Sequence, residues 1–333
     1  EFGICMKGYI GPERTKALCR QAELAGFSSC WFYDSHVLWR DPYPAMAMCM
    51  EHTKTMRFGP CVTNPNTRDW SVAASMFASL AHQSGGRFDI GLGRGDSAVR
   101  LMGQKPAPLS RVAEFTHKVK AMVRGEEVMY GECAELVKFT WATGYELPVW
   151  IAAYGPMALK CAGENGDGLV LQIAEPGICK WLGDQAITAG EAAGRDMSNF
   201  RIMSAAPAMT GTMDDCIERT KWFPAMVGNH VADIIEKYGV DSDLVPQSLT
   251  SYIKKRHGYD YSKHGQSDNP YLDFITEDIV KSFAVLGNPG SHIAKLQELQ
   301  SAAITQFNIY LDSGHEEKII ADYAEQIIPA FKG

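Results

Sequence analysis

The sequence repeats one alternation along its whole length: a short apolar run, then a stretch with helical spacing of apolar residues. Phe2 to Met6 is typical of a buried strand, and Pro12 to Ala25 of a helix that Gly26 ends. The predicted strands are 2–6, 30–33, 57–63, 88–92, 149–153, 168–173, 200–206 and 305–311. Because these runs are continuously apolar, they predict parallel strands that are buried on both faces.

Eight strand–helix units in one chain favour a (β/α)8 TIM barrel over a doubly wound open sheet. The alternation covers the 333 residues without an evident boundary, and one barrel accommodates that length. With 46% hydrophobic and 21% charged residues, the composition is that of a folded globular chain. We therefore expect a single barrel domain over 1–333, with an insertion before the eighth strand.

Charge and composition exclude several classes of function. The net charge is −7 and no long basic run occurs, so nucleic acid and anionic membranes are poor partners. No apolar stretch of about 18 residues predicts a membrane span, and residues 1–11 lack the pattern of a secretory signal. The nine cysteines form no CxxC pair and are expected to be small buried side chains rather than disulfides or metal ligands. These features together predict a cytoplasmic protein without a metal site.

One segment, 239–286, interrupts the alternation between the seventh helix and the eighth strand. It is polar and rich in tyrosine, including Tyr252, Tyr259, Tyr261 and Tyr271. A connection of this length is either disordered or a functional cover, and its aromatic content argues against disorder. Two interpretations stay open: a lid over the barrel mouth, or a packed surface excursion.

Residues that directly follow the strands of a barrel are the candidates for an active site. After the second strand come Asp34, His36 and Trp39, which together could supply a proton donor and a stacking surface. Asp34 by itself is more typical of a structural residue that accepts loop N–H groups. Thr63 and Asn64 follow the third strand and could present polar groups to a ligand, or form a plain turn.

The fourth and fifth strands are followed by glycine-containing turns. The GxGxG run over 91–95 lets the backbone approach a ligand closely, but it matches neither a dinucleotide fingerprint nor a phosphate-binding loop. Within this turn Arg94 and Asp96 could contact a ligand or pair with each other. Tyr154, Gly155 and Pro156 begin a helix whose N-terminus could hold a phosphate or be an ordinary helix start. The remaining histidines on helical stretches, His230 among them, are expected at the surface or in the core.

Three segments carry a family resemblance when taken together. They are AELAGFSSCWFYDSH over 22–36, the run over 58–98 that contains SGGRFDIGLGRGDSA, and LPVWIAAYGPMALKCAGENGDGLVL over 147–171. In combination they resemble the bacterial luciferase-like superfamily of flavin- and deazaflavin-dependent oxidoreductases. The GxGRGDSA form is most similar to the branch that contains methylenetetrahydromethanopterin reductase. The resemblance is strong over the first half of the chain and weak over the terminal strand–helix unit.

The resemblance implies a barrel that is usually a homodimer, with a flavin or deazaflavin ring in its mouth. It implies a non-prolyl cis peptide at Cys61–Val62 beneath the ring, and active-site roles for Trp39 and Asp96 beside the candidate His36. The implied cofactor contacts are Asp34, Cys61, Val62, Thr63, Asn64, Arg94, Gly95, Ala153, Tyr154, Gly155 and Pro156. One departure concerns the loop after the second strand: many relatives have Asp directly before His, whereas Ser35 stands between them here.

Two cofactors agree with this pattern. Reduced FMN, with a separate flavin reductase as its possible source, would make the protein a monooxygenase of a small organic substrate. Coenzyme F420 would make it a hydride-transfer oxidoreductase, which the GxGRGDSA form favours. The tyrosine-rich insertion suggests a closed pocket. Because such a pocket would shield an oxygenation reaction from water, the sequence prediction slightly favours FMN-linked oxygenation. A flavin-binding protein without turnover is the alternative from another class, and the presence of His36 and Asp96 argues against it.

Overall fold

The computed structural model describes residues 1–8, 10–131, 136–142, 144–239 and 245–332. Eight parallel strands form a barrel and are numbered in chain order. They are β1 (Phe2–Met6), β2 (Ser29–Phe32), β3 (Arg57–Pro60), β4 (Ile90–Leu92), β5 (Val149–Ala152), β6 (Gly168–Leu171), β7 (Arg201–Ala206) and β8 (Gln306–Tyr310). Each strand lies beside its neighbour in sequence, and β8 pairs with β1. The predicted (β/α)8 TIM barrel is confirmed.

The seam between β3 and β4 closes the barrel through a short interruption. β3 ends at Pro60, three residues before its predicted end, and the Cys61–Val62 peptide is cis, as the family resemblance implied. Pairing resumes at Thr63, whose N–H donates to the Gly91 carbonyl at 2.8 Å while the Gly93 N–H donates to the Thr63 carbonyl at 2.8 Å. Residues 61 and 62 therefore form a bulge at the barrel mouth with ordered main chain on both sides.

The helices surround the sheet and begin at recognisable capping residues. Asp69 accepts from the Ser71 N–H at 2.8 Å, and Asn288 accepts from the Ser291 N–H at 3.0 Å, so each satisfies a free donor of a first helical turn. The helices are Pro12–Ala25, Pro42–His52, Trp70–Ser84, Ser97–Arg100, Leu109–Val123, Pro156–Asn165, Pro176–Ala192, Met213–Thr220, Trp222–Tyr238, Gln247–Thr250, Glu277–Phe283, Pro289–Ser301 and Glu316–Asp322. Shorter turns of helix cover Ser251–Lys255, Tyr261–Lys263, Tyr323–Ile327 and Ile328–Phe331. Among the described helices, none is long and apolar enough to traverse a bilayer.

Two tryptophans fill the barrel interior. Trp31 and Trp150 meet edge to face with ring centroids 6.0 Å apart, and both are fully buried. A side chain at Gly59 would meet the Trp31 ring at 2.8 Å, and one at Gly168 would meet the Trp150 ring at 2.6 Å. Glycine at these two strand positions therefore makes room for the indoles. The packed interior leaves the loop-lined mouth, at the carboxyl ends of the strands, as the place for a site.

The long connection before β8 is more regular than the sequence predicted. Within its described part, 245–286, it contains the helix Glu277–Phe283, and the strand Val285–Gly287 pairs in parallel with Ala208–Thr210. The helix Pro289–Ser301 then leads back to β8, a helix that the sequence analysis did not assign. Outside the barrel, Val128–Met129 and Leu136–Val137 pair antiparallel.

Candidate active site

The barrel mouth contains a cavity of about 900 Å³ between the ends of β4 and β5 and the helix Trp222–Tyr238. We call this space the outer cavity. Residues without bulky side chains form part of its wall: Gly93, Gly95, Ala152, Ala153 and Gly155. Its charged groups are the cations Arg94, Arg100 and Lys237 and the carboxylates Asp96 and Asp233. The outer cavity thus combines a wall of small residues with a lining that holds three cations and two carboxylates.

A second space of about 590 Å³, the inner chamber, lies beneath the segment 245–286. It is lined from the barrel by Lys7, Tyr33, Asp34, Trp39 and Asn64, and from the segment by His264 and Gly265. Five residues line both spaces: Val62, Gly95, Asp96, Gln172 and His230. The two spaces are therefore neighbours with a shared wall of side chains that includes a carboxylate and an imidazole.

The glycines in the turn after β4 leave space beside Val62 in this shared wall. A Cβ added at Gly93 would lie 2.8 Å from Cγ2 of Val62, and Gly95 has a φ of 88°, which side-chain-bearing residues rarely adopt. A flat ligand can therefore lie against Val62 without meeting side chains from this turn. The sequence prediction that these glycines allow close backbone approach has this physical basis.

Asp34 is buried at the end of β2, and hydrogen bonds reach one of its two carboxylate oxygens. Its Oδ2 accepts from the Tyr43 hydroxyl at 3.0 Å and from Nη1 of Arg68 at 2.7 Å. Its Oδ1 is buried and has no partner in the described part of the chain. Burial, and then the charge of Asp34, raises the pKa of Tyr43, so that this hydroxyl stays a donor. Asp34 has the structural role that its sequence context suggested, and one oxygen remains for a ligand.

The extra residue in the loop after β2 changes which side chain points inward. Ser35 is buried, and its Oγ lies 2.6 Å from Oγ of Ser97, which follows Asp96 in the next loop. His36 is exposed and lines neither space. This placement gives no support to the proton-transfer role that we assigned to His36. Trp39 does face the inner chamber and packs on Tyr33 with ring centroids 5.0 Å apart.

Asp96 stands between the two spaces and is oriented by an arginine. Its Oδ1 accepts from Nε of Arg100 at 2.7 Å, while its buried Oδ2 has no partner among the described residues. Arg100 also bonds Asp233 at 2.6 Å. The alternative that Arg94 pairs with Asp96 is wrong, because Nε of Arg94 donates to the Ala107 carbonyl at 2.7 Å.

A polar cluster that the sequence analysis did not predict lies above β5 and β6. The Tyr154 hydroxyl accepts from the Gln172 N–H at 2.8 Å, and its ring stacks on His230 at 4.9 Å with 13° between the planes. The Gln172 side chain donates to the Tyr310 hydroxyl at 2.7 Å and lies 3.2 Å from Nε2 of His230. The interpretation of His230 as a surface or core residue is therefore wrong. Its position within an apolar helix gave no signal of this role.

The segment that covers the inner chamber is tied to the barrel by Lys7, which also forms a buried ion pair within the barrel. Nζ of Lys7, at the end of β1, lies 2.7 Å from Oδ2 of Asp312 after β8 and donates to the Gly265 carbonyl at 2.6 Å. Beside Gly265, His264 has its Nδ1 3.1 Å from the Tyr259 hydroxyl. Burial lowers the pKa of His264 to about 4, so its imidazole is neutral near neutral pH. The segment 245–286 therefore contributes directly to the site.

Most of the predicted site residues meet at this mouth. Those that line one or both spaces are Asp34, Trp39, Cys61, Val62, Asn64, Arg94, Gly95, Asp96, Ala153, Tyr154 and Gly155. Thr63 is buried in the seam between β3 and β4, and Pro156 begins its helix while its neighbours Gly155 and Met157 face the outer cavity. Together with the exposed His36, these two residues line neither space.

Comparison with known proteins identifies the family to which this chain belongs. The family described as luciferase-like monooxygenase matches residues 3–306. The chain belongs to this family. The 5,10-methylenetetrahydromethanopterin reductase of Methanopyrus kandleri is 26% identical, covering 99% of this chain and 98% of the relative. The F420-dependent hydroxymycolic acid dehydrogenase of Mycobacterium tuberculosis is 31% identical, covering 89% and 78%.

Solved structures of both cofactor types share the fold. The coenzyme F420 dependent tetrahydromethanopterin reductase from Methanopyrus kandleri superposes with a TM-score of 0.77 at 23% identity, covering 99% of both chains. The oxygenating constituent of 3,6-diketocamphane monooxygenase from Pseudomonas putida, in complex with FMN, gives 0.67 at 15% identity, covering 99% of this chain and 98% of that one. The family resemblance is thus confirmed: the protein is a luciferase-like oxidoreductase, and its cofactor is a flavin or a deazaflavin.

The outer cavity fits such a cofactor. The small residues beside Val62 leave room for a flat ring, and Arg94, Arg100 and Lys237 are suitable partners for an anionic tail. The helix Pro156–Asn165 follows Gly155, next to the cavity, without a side-chain cap. Pro156 has no N–H and the Ala158 N–H donates to the Gly155 carbonyl at 2.9 Å, so the Met157 N–H is the first-turn donor that remains for a phosphate.

Proposed function

We propose that this protein is a coenzyme F420-dependent oxidoreductase that transfers a hydride to or from a small organic substrate. The observation that carries the proposal is the agreement of relatives that are named as F420-dependent enzymes with a cavity at the barrel mouth that holds three cations. The sequence prediction preferred FMN. That preference depended on the insertion alone, and an enclosed chamber serves hydride transfer equally well, because excluding water strengthens electrostatic interactions within it.

Charge in the outer cavity supports the deazaflavin. Coenzyme F420 carries a phosphodiester and an acidic tail, whereas FMN ends in a single phosphate. Arg94, Arg100 and Lys237 line the outer cavity together, and each can bind a phosphate or carboxylate oxygen. Arg100 is held by Asp96 and Asp233, so its guanidinium is fixed in place beside the cavity.

In this proposal the deazaflavin, when bound, supplies the hydride acceptor or donor. The residues of the chain support the ring, transfer the substrate proton and exclude water. Val62 and the glycines after β4 support one face of the ring. Asp96 accepts or donates the substrate proton at Oδ2, the oxygen without a partner, while Arg100 holds Oδ1 and fixes the orientation of the carboxylate. Trp39 and the segment 245–286 cover the inner chamber and keep bulk water out.

FMN-linked oxygenation of a small organic substrate is the second candidate. The covered inner chamber favours it, since oxygenation also requires that water be kept from the reacting centre. Under this alternative a separate flavin reductase would supply the reduced FMN. A flavin-binding protein without turnover is the third interpretation; it leaves the unpartnered Oδ2 of Asp96 without a purpose.

A titration with each cofactor tests the proposal. The purified protein is titrated with coenzyme F420 and, separately, with FMN, and binding is followed by absorbance and by quenching of cofactor fluorescence. We expect F420 to bind at least about tenfold more tightly than FMN, a difference of roughly 1.4 kcal/mol. Equal affinity, or tighter binding of FMN, would contradict the proposal and place the monooxygenase first.

We further propose that 245–286 is a lid and that the protein is a homodimer. Amide hydrogen exchange with and without F420 tests the lid: the segment should gain protection on binding, and unchanged exchange there would make it a static cover. Size-exclusion chromatography with light scattering tests the dimer, and a monomeric mass would contradict it.

A further inference from the structure

Two carboxylates that line the inner chamber each have one buried oxygen without a partner in the described part of the chain. Asp34 uses Oδ2 for Tyr43 and Arg68, neither of which lines the chamber, and leaves Oδ1 buried and unpartnered. Asp34 itself is 3% exposed. A buried carboxylate oxygen without a donor is costly, so this arrangement points to a donor supplied from within the chamber.

Asp96 repeats this arrangement on the opposite loop. Its Oδ1 is bound by Arg100, which lines the outer cavity and not the inner chamber, and its Oδ2 is buried without a partner. The bond between the hydroxyls of Ser35 and Ser97, 2.6 Å long, holds the loop after Asp34 against the loop after Asp96. Two acceptor oxygens are thus fixed in the wall of one chamber by neighbouring loops.

Several other polar groups of the chamber are engaged by the protein itself. Lys7 is bound by Asp312 and by the Gly265 carbonyl, Gln172 by Tyr310, and His264 contacts Tyr259. The Tyr33 hydroxyl is buried without a partner in the described part of the chain, and burial raises its pKa, so that it remains protonated. Trp39 and Asn64 add N–H groups to the lining. The described chamber therefore offers two unpartnered carboxylate oxygens together with neutral donor groups.

We infer that the inner chamber binds a neutral or cationic substrate that presents at least two O–H or N–H donors, with Asp34 and Asp96 as its anchors. The inference rests on the proposed function only in assigning the outer cavity to the cofactor. An anionic substrate would face both carboxylates, and the ammonium of Lys7 is neutralised by its pairing with Asp312.

A matched set of cyclic probes tests this inference by isothermal titration calorimetry, on the protein alone and on the protein saturated with F420. The donor probes are vicinal aminocyclohexanol and vicinal cyclohexanediol. The controls are the dimethyl ether of that diol, which lacks donors, and hydroxycyclohexanecarboxylate, which is anionic. We expect both donor probes to bind at least about tenfold more tightly than both controls. Binding of either control as tightly as the donors, or no binding of any probe, would overturn the inference.

Two variants and a matched control locate the binding. Asp34→Asn and Asp96→Asn should each weaken the binding of aminocyclohexanol by about tenfold or more, because each removes a charged acceptor. Asp41→Asn is the control: Asp41 also binds Arg68, at 2.9 Å, but lines neither space. It should leave probe affinity unchanged. If Asp34→Asn does not fold, Asp96→Asn and the probe series on the wild-type protein decide the question.

The two proposals can fail independently. If the donor probes bind more tightly than the controls but FMN binds more tightly than F420, the F420 assignment is wrong and the chamber inference holds. If F420 binds tightly but the chamber prefers the carboxylate probe, the F420 assignment holds and the chamber inference is wrong.

Discussion

The floor of the site and its roof are held in place by different means. The floor, at the ends of β3, β4 and β5, is set by main-chain pairing, as in the two 2.8 Å bonds that join Thr63 to Gly91 and Gly93. The roof consists of the helix Trp222–Tyr238 and the described residues 245–286. Lys7 ties it to the barrel by donating to the Gly265 carbonyl at 2.6 Å. Within the roof, the Tyr252 hydroxyl donates to the Pro224 carbonyl at 3.0 Å and Arg256 donates to Oδ1 of Asn229 at 2.6 Å.

This difference indicates which part of the protein can open locally. A barrel ladder opens only with the sheet, whereas a segment outside the ladder can open at a fraction of the global unfolding free energy. We therefore expect the floor to set cofactor affinity and the roof to control access. The following predictions test that division, from the largest expected effect to the smallest.

Lys7→Met should destabilise the protein strongly. It leaves Asp312 as a buried, uncompensated carboxylate, and such a loss costs about 3–5 kcal/mol. Burial already raises the pKa of Asp312 while Lys7 lowers it, so removing the ammonium exposes the full penalty. Urea unfolding measures the effect, and hydrogen exchange should show the roof opening first.

Two controls accompany this variant. Lys180→Met breaks an exposed pair with Asp184, 2.8 Å long, and should cost less than about 1 kcal/mol. The double variant Lys7→Met, Asp312→Leu removes both charges and should recover much of the lost stability. A Lys7→Met protein as stable as the Lys180→Met protein would show that the ion pair does not hold the roof.

Acid should loosen the roof through His264. Its folded pKa of about 4 lies below the ordinary 6.5, so the unfolded state takes up a proton first as the pH falls. Stability is therefore full above about pH 6.5 and declines toward pH 4, by roughly 2 kcal/mol at about pH 5. The Tyr259 hydroxyl lies 3.1 Å from Nδ1 of His264 and the Tyr261 ring stacks on it, while Asp96, His230 and Lys7 act on it electrostatically.

His292 is the matched histidine in the outer wall. It lies against Tyr323, and burial also lowers its pKa to about 4. His264→Gln and His292→Gln should each remove part of the acid sensitivity seen in urea unfolding. Only His264→Gln should abolish the acid-induced exchange of the roof. If both variants protect the roof equally, the opening is global and the comparison with the floor fails.

Gly93→Ala should weaken cofactor binding without comparable loss of stability. The added methyl would lie 2.8 Å from Cγ2 of Val62 and push that side chain toward the ring site. Overpacking of this kind costs about 1–3 kcal/mol, or about 5-fold to 150-fold in the dissociation constant. Gly11→Ala is the control, since no heavy atom lies within 4 Å of its added Cβ. Unchanged F420 affinity in Gly93→Ala would mean that the ring lies elsewhere.

His36→Ala should have the smallest effect. Because His36 is exposed and lines neither space, we expect kcat/KM to change by less than about twofold, within the usual range of surface substitutions. Steady-state kinetics with F420 and a turned-over substrate measures it. A loss of about 100-fold, the scale of a missing acid or base, would restore the catalytic role that the sequence suggested.

The sequence by itself determined the barrel and most of the floor. Eight apolar runs, each followed by a stretch with helical spacing, specify the fold, because the local pattern of apolar residues indicates which segments are buried strands. Gly95, Asp96 and Tyr154 were predictable because each lies in the loop after a strand, and the ends of parallel strands meet at one edge. Val62 was implied only by the family resemblance.

Only the tertiary structure decided the roof and the direction of individual side chains. Lys7 meets Gly265 across 258 positions of sequence, and His230 meets Gln172 across 58, so no local pattern could signal either contact. His36 follows a strand as Asp34 does, yet the contact of Ser35 with Ser97, 62 positions away, places Ser35 inward while His36 lies exposed. Strand ends are set by neighbouring residues, but the orientation of a loop side chain depends on whichever distant partner packs against it.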